Sequence, residues 1–259
     1  MKKIFIWFLS LGITTAEISY EPAGIKMGRK QYTEGENNLR PFHWPLGTEV
    51  DFLFILGEGS FIKINHKKSK LTIFTDDQGT DLLKKKKGSF ISMSPTPDSG
   101  KSEDGKAFMW SVRSNITPAK GARELSIEGM ATFTVATKSR QSKSQLVPVK
   151  KGTTVTIGEH KIGITKVEES NWGDAKLEVT LKSDLNLVEL RRIRFFDKSG
   201  KLIPSERSFY GTSSFGSKST TKVTYNFEKK VDTITVELDE WIDQKEIEVP
   251  VKSKIGVGL

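Results

Sequence analysis

The chain has 259 residues, a formal net charge of +9, 28% charged residues and no cysteine. That charge density excludes a polytopic membrane protein, and the missing cysteines exclude disulfide stapling and zinc–thiolate sites. Valine, isoleucine and threonine number 15, 21 and 23 against only 8 alanines. Branched side chains lose rotamer freedom in helices and pack well on pleated sheets, so the composition points to β structure.

Lys2-Lys3, the apolar run Ile4–Ile13 and the small residues Thr14-Thr15-Ala16 read as a secretory signal peptide over 1–16, cut before Glu17. The run is too short for a spanning helix of roughly 20 residues, so the mature chain is expected to lack a transmembrane segment. A lipoprotein anchor needs cysteine, and a secreted eukaryotic protein of this size ordinarily carries disulfides. The expected location is therefore the bacterial periplasm or the extracellular space. Residues 17–45 follow as an N-terminal extension.

Val50–Leu56 is apolar on both faces apart from Asp51, the pattern of a central strand. Phe108, Trp110 and Val112 alternate with polar or smaller residues. So do Leu125, Ile127, Gly129, Ala131, Phe133 and Val135. Period two with one polar face marks half-buried antiparallel strands. The stretch 138–145 (KSRQSKSQ) contains no apolar residue and reads as a linker. Beyond it, alternation returns at Leu177–Leu181, Val223–Phe227, Ile234–Leu238 and Ile247–Val251. No window of a dozen residues has helical period. The expected fold is all-β, two tandem antiparallel β-sandwich domains over 46–137 and 146–259. A fragment starting near residue 143 is expected to fold alone.

One pattern occurs twice. Phe74-Thr75-Asp76-Asp77-Gln78-Gly79 precedes Leu82, and Phe195-Phe196-Asp197-Lys198-Ser199-Gly200 precedes Leu202 and Ile203. Both are hairpin turns: Asp accepts from the turn amides and Gly takes the positive-φ position. Together with the segments KLTIFTDDQGTDLL, RIRFFDKSGKLI and EVPVKSKIGVGL, the pattern over residues 46–259 resembles uncharacterised secreted bacterial proteins with tandem Ig-like β-sandwich domains. The resemblance implies a fold and no activity.

Chemistry is sparse. His43, His66 and His160 lie far apart, with no zinc-ligand spacing. No GxSxG elbow or phosphate loop is present, so no catalytic residue and no cofactor is assigned. Asp76, Asp77 and Asp81 are calcium candidates by charge density alone, since the twelve-residue loop and its closing Glu are missing. Lys84–Lys87 reads as a solvated loop, and the dispersed positive charge argues against a nucleic-acid partner. Arg192 and Arg194 share a strand face, either as an anion-facing stripe or paired with acids across the sheet. Ser205–Thr221 combines serine and glycine with Phe209, Tyr210 and Phe215, a composition suited to adaptable contacts. It reads as a contact loop, or as a hairpin loop whose rings fold back on the sheet. Trp172 in Asn171-Trp172-Gly173-Asp174 is a further ligand-binding candidate. The expected function is an exported non-catalytic binding or structural module of the envelope, contacting a protein or a polysaccharide. The alternatives are a secreted hydrolase with a carboxylate site and a carbohydrate-binding accessory protein. Oligomeric state is not legible.

Overall fold

The computed structural model describes residues 18–28, 47–84, 91–94, 100–170, 173–187, 189–215 and 218–257. The expected signal peptide and Trp172 lie outside them. Every regular element among the described residues is a strand, and no helix there is long and apolar enough to cross a membrane. The chain divides into two compact units. Unit 1 holds the described residues up to Phe133 together with those from Ile247 onward, and unit 2 is Thr134–Glu246.

In unit 1, β1 (Ile18–Gly28), β2 (Gly47–Leu56), β5 (Ile91–Ser94) and β6 (Ala107–Ser114) form a sheet ordered β1-β2-β6-β5. Its pairs are antiparallel. The second sheet is built on β7 (Glu124–Ala136), which carries β3 (Ser60–Ile64), β4 (Lys70–Asp76) and β17 (Lys245–Gly256). Alternation is visible as burial. Phe108, Trp110 and Val112 of β6 are fully buried, as are Val50, Phe52 and Phe54 of β2. Their rings meet Phe133 of the other sheet, which lies 4.8 Å from Phe54 and 5.3 Å from Phe108 between centroids, and 4.9 Å from Phe61 within its own sheet. Tilted and edge-on contacts of this kind add to the area each ring removes from water. On the edge of β17, the Tyr20 hydroxyl accepts from the Lys252 amide at 2.7 Å and donates to the Lys252 carbonyl at 3.0 Å.

In unit 2, β10 (Thr154–Ile157), β11 (His160–Glu169), β12 (Leu177–Ser183), β14 (Ser205–Phe215) and β15 (Lys218–Phe227) form a sheet ordered β10-β11-β12-β15-β14. β13 (Arg192–Phe196), β16 (Thr233–Trp241) and β8 (Ser139–Lys143) form the second, with β9 (Val147–Pro148) also on β16. All of these pairs are antiparallel. The core is mainly aliphatic, with Ile157, Ile162, Val179, Leu181, Ile234, Val236 and Leu238 around Phe195, Tyr225 and Phe227.

The repeated hairpin is present in both units, 121 residues apart. Asp76 Oδ1 accepts from the amides of Gln78 and Thr80, and Asp197 Oδ1 from those of Ser199 and Lys201. Gly79 and Gly200 have φ of 83° and 78°, the left-handed region glycine enters without penalty. Leu82 then donates to the Phe74 carbonyl at 2.7 Å, and Ile203 to that of Phe195 at 2.8 Å. All four of these apolar side chains are buried.

The expected boundaries need correction. Residues 17–45 are not simply an extension, because they contain β1, which pairs with β2 along its length. Residues 138–145 are not a linker. They contain β8, whose Ser139–Lys143 pairs with Trp241–Glu237 of β16. An edge strand is kept soluble by charged and polar side chains, so its composition imitates a linker. Nor does the last strand complete unit 2. β17 lies on β7 in unit 1, where Lys252 reaches Glu128 at 2.8 Å and Lys254 reaches Glu124 at 2.9 Å. A fragment starting at residue 143 therefore lacks all of β8 but Lys143 and carries a strand that belongs elsewhere. Ser205–Thr221 is also corrected: it is not a loop but most of the β14–β15 hairpin, with ladder partners from Ser205↔Phe227 to Phe215↔Lys218.

Candidate ligand-binding face

The outward face of the larger sheet in unit 2 is set by register. Val179 and Leu181 of β12 and Val223 and Tyr225 of β15 point into the core, so Glu178, Thr180, Thr224 and Asn226 lie on the opposite face. Across β15, Glu206 of β14 pairs with Asn226. If alternation continued, Phe209 would then point inward and Tyr210 outward. A bulge between Arg207 and Phe209 inserts one residue and reverses that order. Phe209 becomes the partner of Thr224, and Tyr210 the partner of Val223.

The consequence is direct. Phe209 is 59% exposed, while Tyr210 packs against the core with the Arg207 guanidinium 5.4 Å from its ring centroid. Gly211 lies beneath the Phe209 ring, and a Cβ there would meet ring carbons at 3.3 and 3.4 Å. The missing side chain at 211 lets the ring lie back over the strand, a cross-face cover for an edge glycine. Below it, the hydroxyls of Thr180 and Thr224 are 2.9 Å apart and buried. Glu178 is held at 2.8 Å by Lys166, which also bonds Glu168 at 2.9 Å. These two hydrogen bonds raise the Lys166 ammonium above the usual lysine range, so it stays charged. Glu178, Glu206, Arg207, Ser208, Phe209 and Asn226 line an open cleft of about 510 Å³. A neighbouring cleft of about 680 Å³ shares Glu206 and Asn226 and extends past Ser205, Pro204 and Arg192.

The other candidates are distributed differently. Phe215 ends β14, and its side chain lies outside what the structure describes. Asp76, Asp77 and Asp81 are all engaged by backbone. Asp76 takes the Ala119 amide on Oδ2 at 2.7 Å besides its two turn amides, Asp77 takes Arg123, and Asp81 takes Leu83. Burial alone would raise the Asp76 pKa, but hydrogen bonds from Ala119, Thr80 and Gln78 outweigh it and hold the carboxyl below its ordinary value. Among the described residues no three His, Cys, Asp or Glu side chains gather as a metal site. Arg194 ion-pairs with Glu237 across the ladder, and Glu237 also takes Lys143 at 3.0 Å. Of the two readings for this arginine, the structure has the paired one.

Sequence reasoning singled out Phe209 but missed its platform. Gly211, Glu178 and Asn226 are ordinary strand residues by composition, and only the bulge brings them beneath and beside one exposed ring. No family model, curated protein or solved structure matches this chain.

Proposed function

We propose that the chain is an exported, non-catalytic binding module of the bacterial envelope, built as two Ig-like sandwiches, the second inserted before the last strand of the first. Strand order supports the Ig-like reading. Setting β3 aside, the first, second, fifth and fourth strands of unit 1 form one sheet, and the third, sixth and seventh (β4, β7 and β17) meet in the other. That is the four-plus-three arrangement of an Ig-type domain. Unit 2 follows the same order through β11, β12, β15 and β14, with β13 and β16 in the other sheet and β8 in the seventh position. Export rests on the order of Lys2-Lys3, the apolar run and Thr14-Thr15-Ala16. The location is then the periplasm or the cell exterior, and the partner an envelope protein or polysaccharide.

The observation that carries binding is the Phe209 ring, more than half exposed on a bulged strand and supported by Gly211. An exposed aromatic of this size contributes little to folding and much to an interface. The test is a pull-down from the native envelope fraction with wild type and Phe209→Ser. The variant should melt like wild type and lose the captured partner. A variant that captures the same partner equally well would refute the reading.

A further inference from the structure

Resting on the binding reading above, we infer that the ligand of this face is a neutral, hydroxyl-rich glycan chain. The charges beside the ring decide between ligand classes. Glu178 and Glu206 line the same cleft as Phe209, so an anionic polymer would bring its charge against two carboxylates. Arg207 lines it too, so a basic peptide would meet a guanidinium. Lys166 already compensates Glu178. What remains is a nearly balanced set in which the carboxylates, the Asn226 amide and the Ser208 hydroxyl offer both acceptors and donors, with the Arg207 guanidinium engaged over Tyr210. Vicinal hydroxyls, each donor and acceptor at once, satisfy such a set without any net charge.

Geometry points the same way. Phe209 is not the wall of an enclosed pocket. Its ring lies back over Gly211 on an open sheet face, a flat apolar surface against which the C–H face of a sugar ring can stack. Glu206 and Asn226 are shared by both clefts, so the polar contacts continue past the ring. That suits a chain of several sugar units more than a single monosaccharide.

The experiment is affinity electrophoresis of the full chain through gels containing neutral polysaccharides (β-glucan, xylan, mannan and chitin oligomers), with polygalacturonate and a polylysine peptide as charged controls. Retardation is expected with at least one neutral polymer. It should survive high salt, because no net charge is matched. Phe209→Ala should weaken it by about ten-fold or more, the loss of one stacking surface. Gly211→Val keeps the ring but lifts it off the strand, and should also weaken binding. Both variants should keep the wild-type melting profile. Absence of retardation by all four neutral polymers would overturn the glycan assignment, as would salt-sensitive binding to either charged control alone. In those cases a Phe209-dependent pull-down would leave the binding reading standing. Glycan binding indifferent to both variants would overturn the placement on this face.

Discussion

Asp76 and Asp197 open the same turn in the two units and are held by different means. Each takes two amides of its own turn on Oδ1. The second oxygen of Asp76 then takes the Ala119 amide at 2.7 Å, and the residue is 5% exposed. The second oxygen of Asp197 takes the Lys229 ammonium at 2.6 Å, with part of the pair in solvent. Hydrogen bonds from Lys229 and Ser199 push the Asp197 pKa far down. The comparison shows that local turn chemistry is repeated while the surroundings are not. The sheets differ in the same sense: β7 is completed by β17 and β16 by β8. By chain order, β8 follows β7 and β17 follows β16. Each unit therefore closes its second sheet with the strand that chain order would have assigned to the other.

The largest effect should come from the aromatic core of unit 1. Phe133 is fully buried against three other rings, and Phe133→Ala should cost about 3–5 kcal/mol by denaturant unfolding. Phe195→Ala, the nearest equivalent, touches two rings in a mainly aliphatic core and should fall at the lower end of that range. Equal losses would mean that the two cores are built alike after all.

Asp76→Ala leaves three part-buried amides without their acceptor and should cost about 1–3 kcal/mol. Asp197→Ala should cost less, because water can replace much of what is lost. The pH dependence follows in sign. A carboxyl held below its unfolded value stabilises the fold above that value and loses the contribution as pH falls through the folded one. The ordinary value is 3.8, so the wild-type contribution is fully present near neutrality and fades only in strong acid. The Asp76→Ala variant should show a flatter acid limb than wild type in melts across this range. An unchanged limb would contradict the role given to Asp76.

Gly79→Ala and Gly200→Ala are the smallest effects and should match. Both have positive φ and neither would place a Cβ within 4 Å of another atom. Each should therefore cost about 1 kcal/mol from backbone conformation alone. A large difference between the two would show that the turns are not equivalent.

Much of this fold can be read from strand periodicity. The alternating run at Leu125–Val135 is nearly all of β7, and that at Val223–Phe227 is the second half of β15. The twin turns are legible because their physics is local, three or four residues deciding the geometry. The home of each strand is not local. Period two says that Val249 and Val251 bury one face, and nothing in those residues says against which sheet. Edge strand β8 is hidden for a different reason: Ser139–Lys143 carries the polarity that an edge requires. At the candidate site, the aromatic composition of β14 was visible, but a one-residue bulge decides which ring faces outward. A serine at position 208 gives no warning of it.

The central claim is that β8 belongs to unit 2 and β17 to unit 1. The most direct measurement compares two fragments, 134–246 and 143–259, by amide-proton NMR dispersion and thermal melting. The account predicts that 134–246, which keeps β8 and drops nearly all of β17, gives dispersed resonances and a cooperative melt. The 143–259 fragment should be poorly dispersed or aggregate through the exposed edge of β16 and the unpaired β17. A well-folded 143–259 beside an unfolded 134–246 would contradict it.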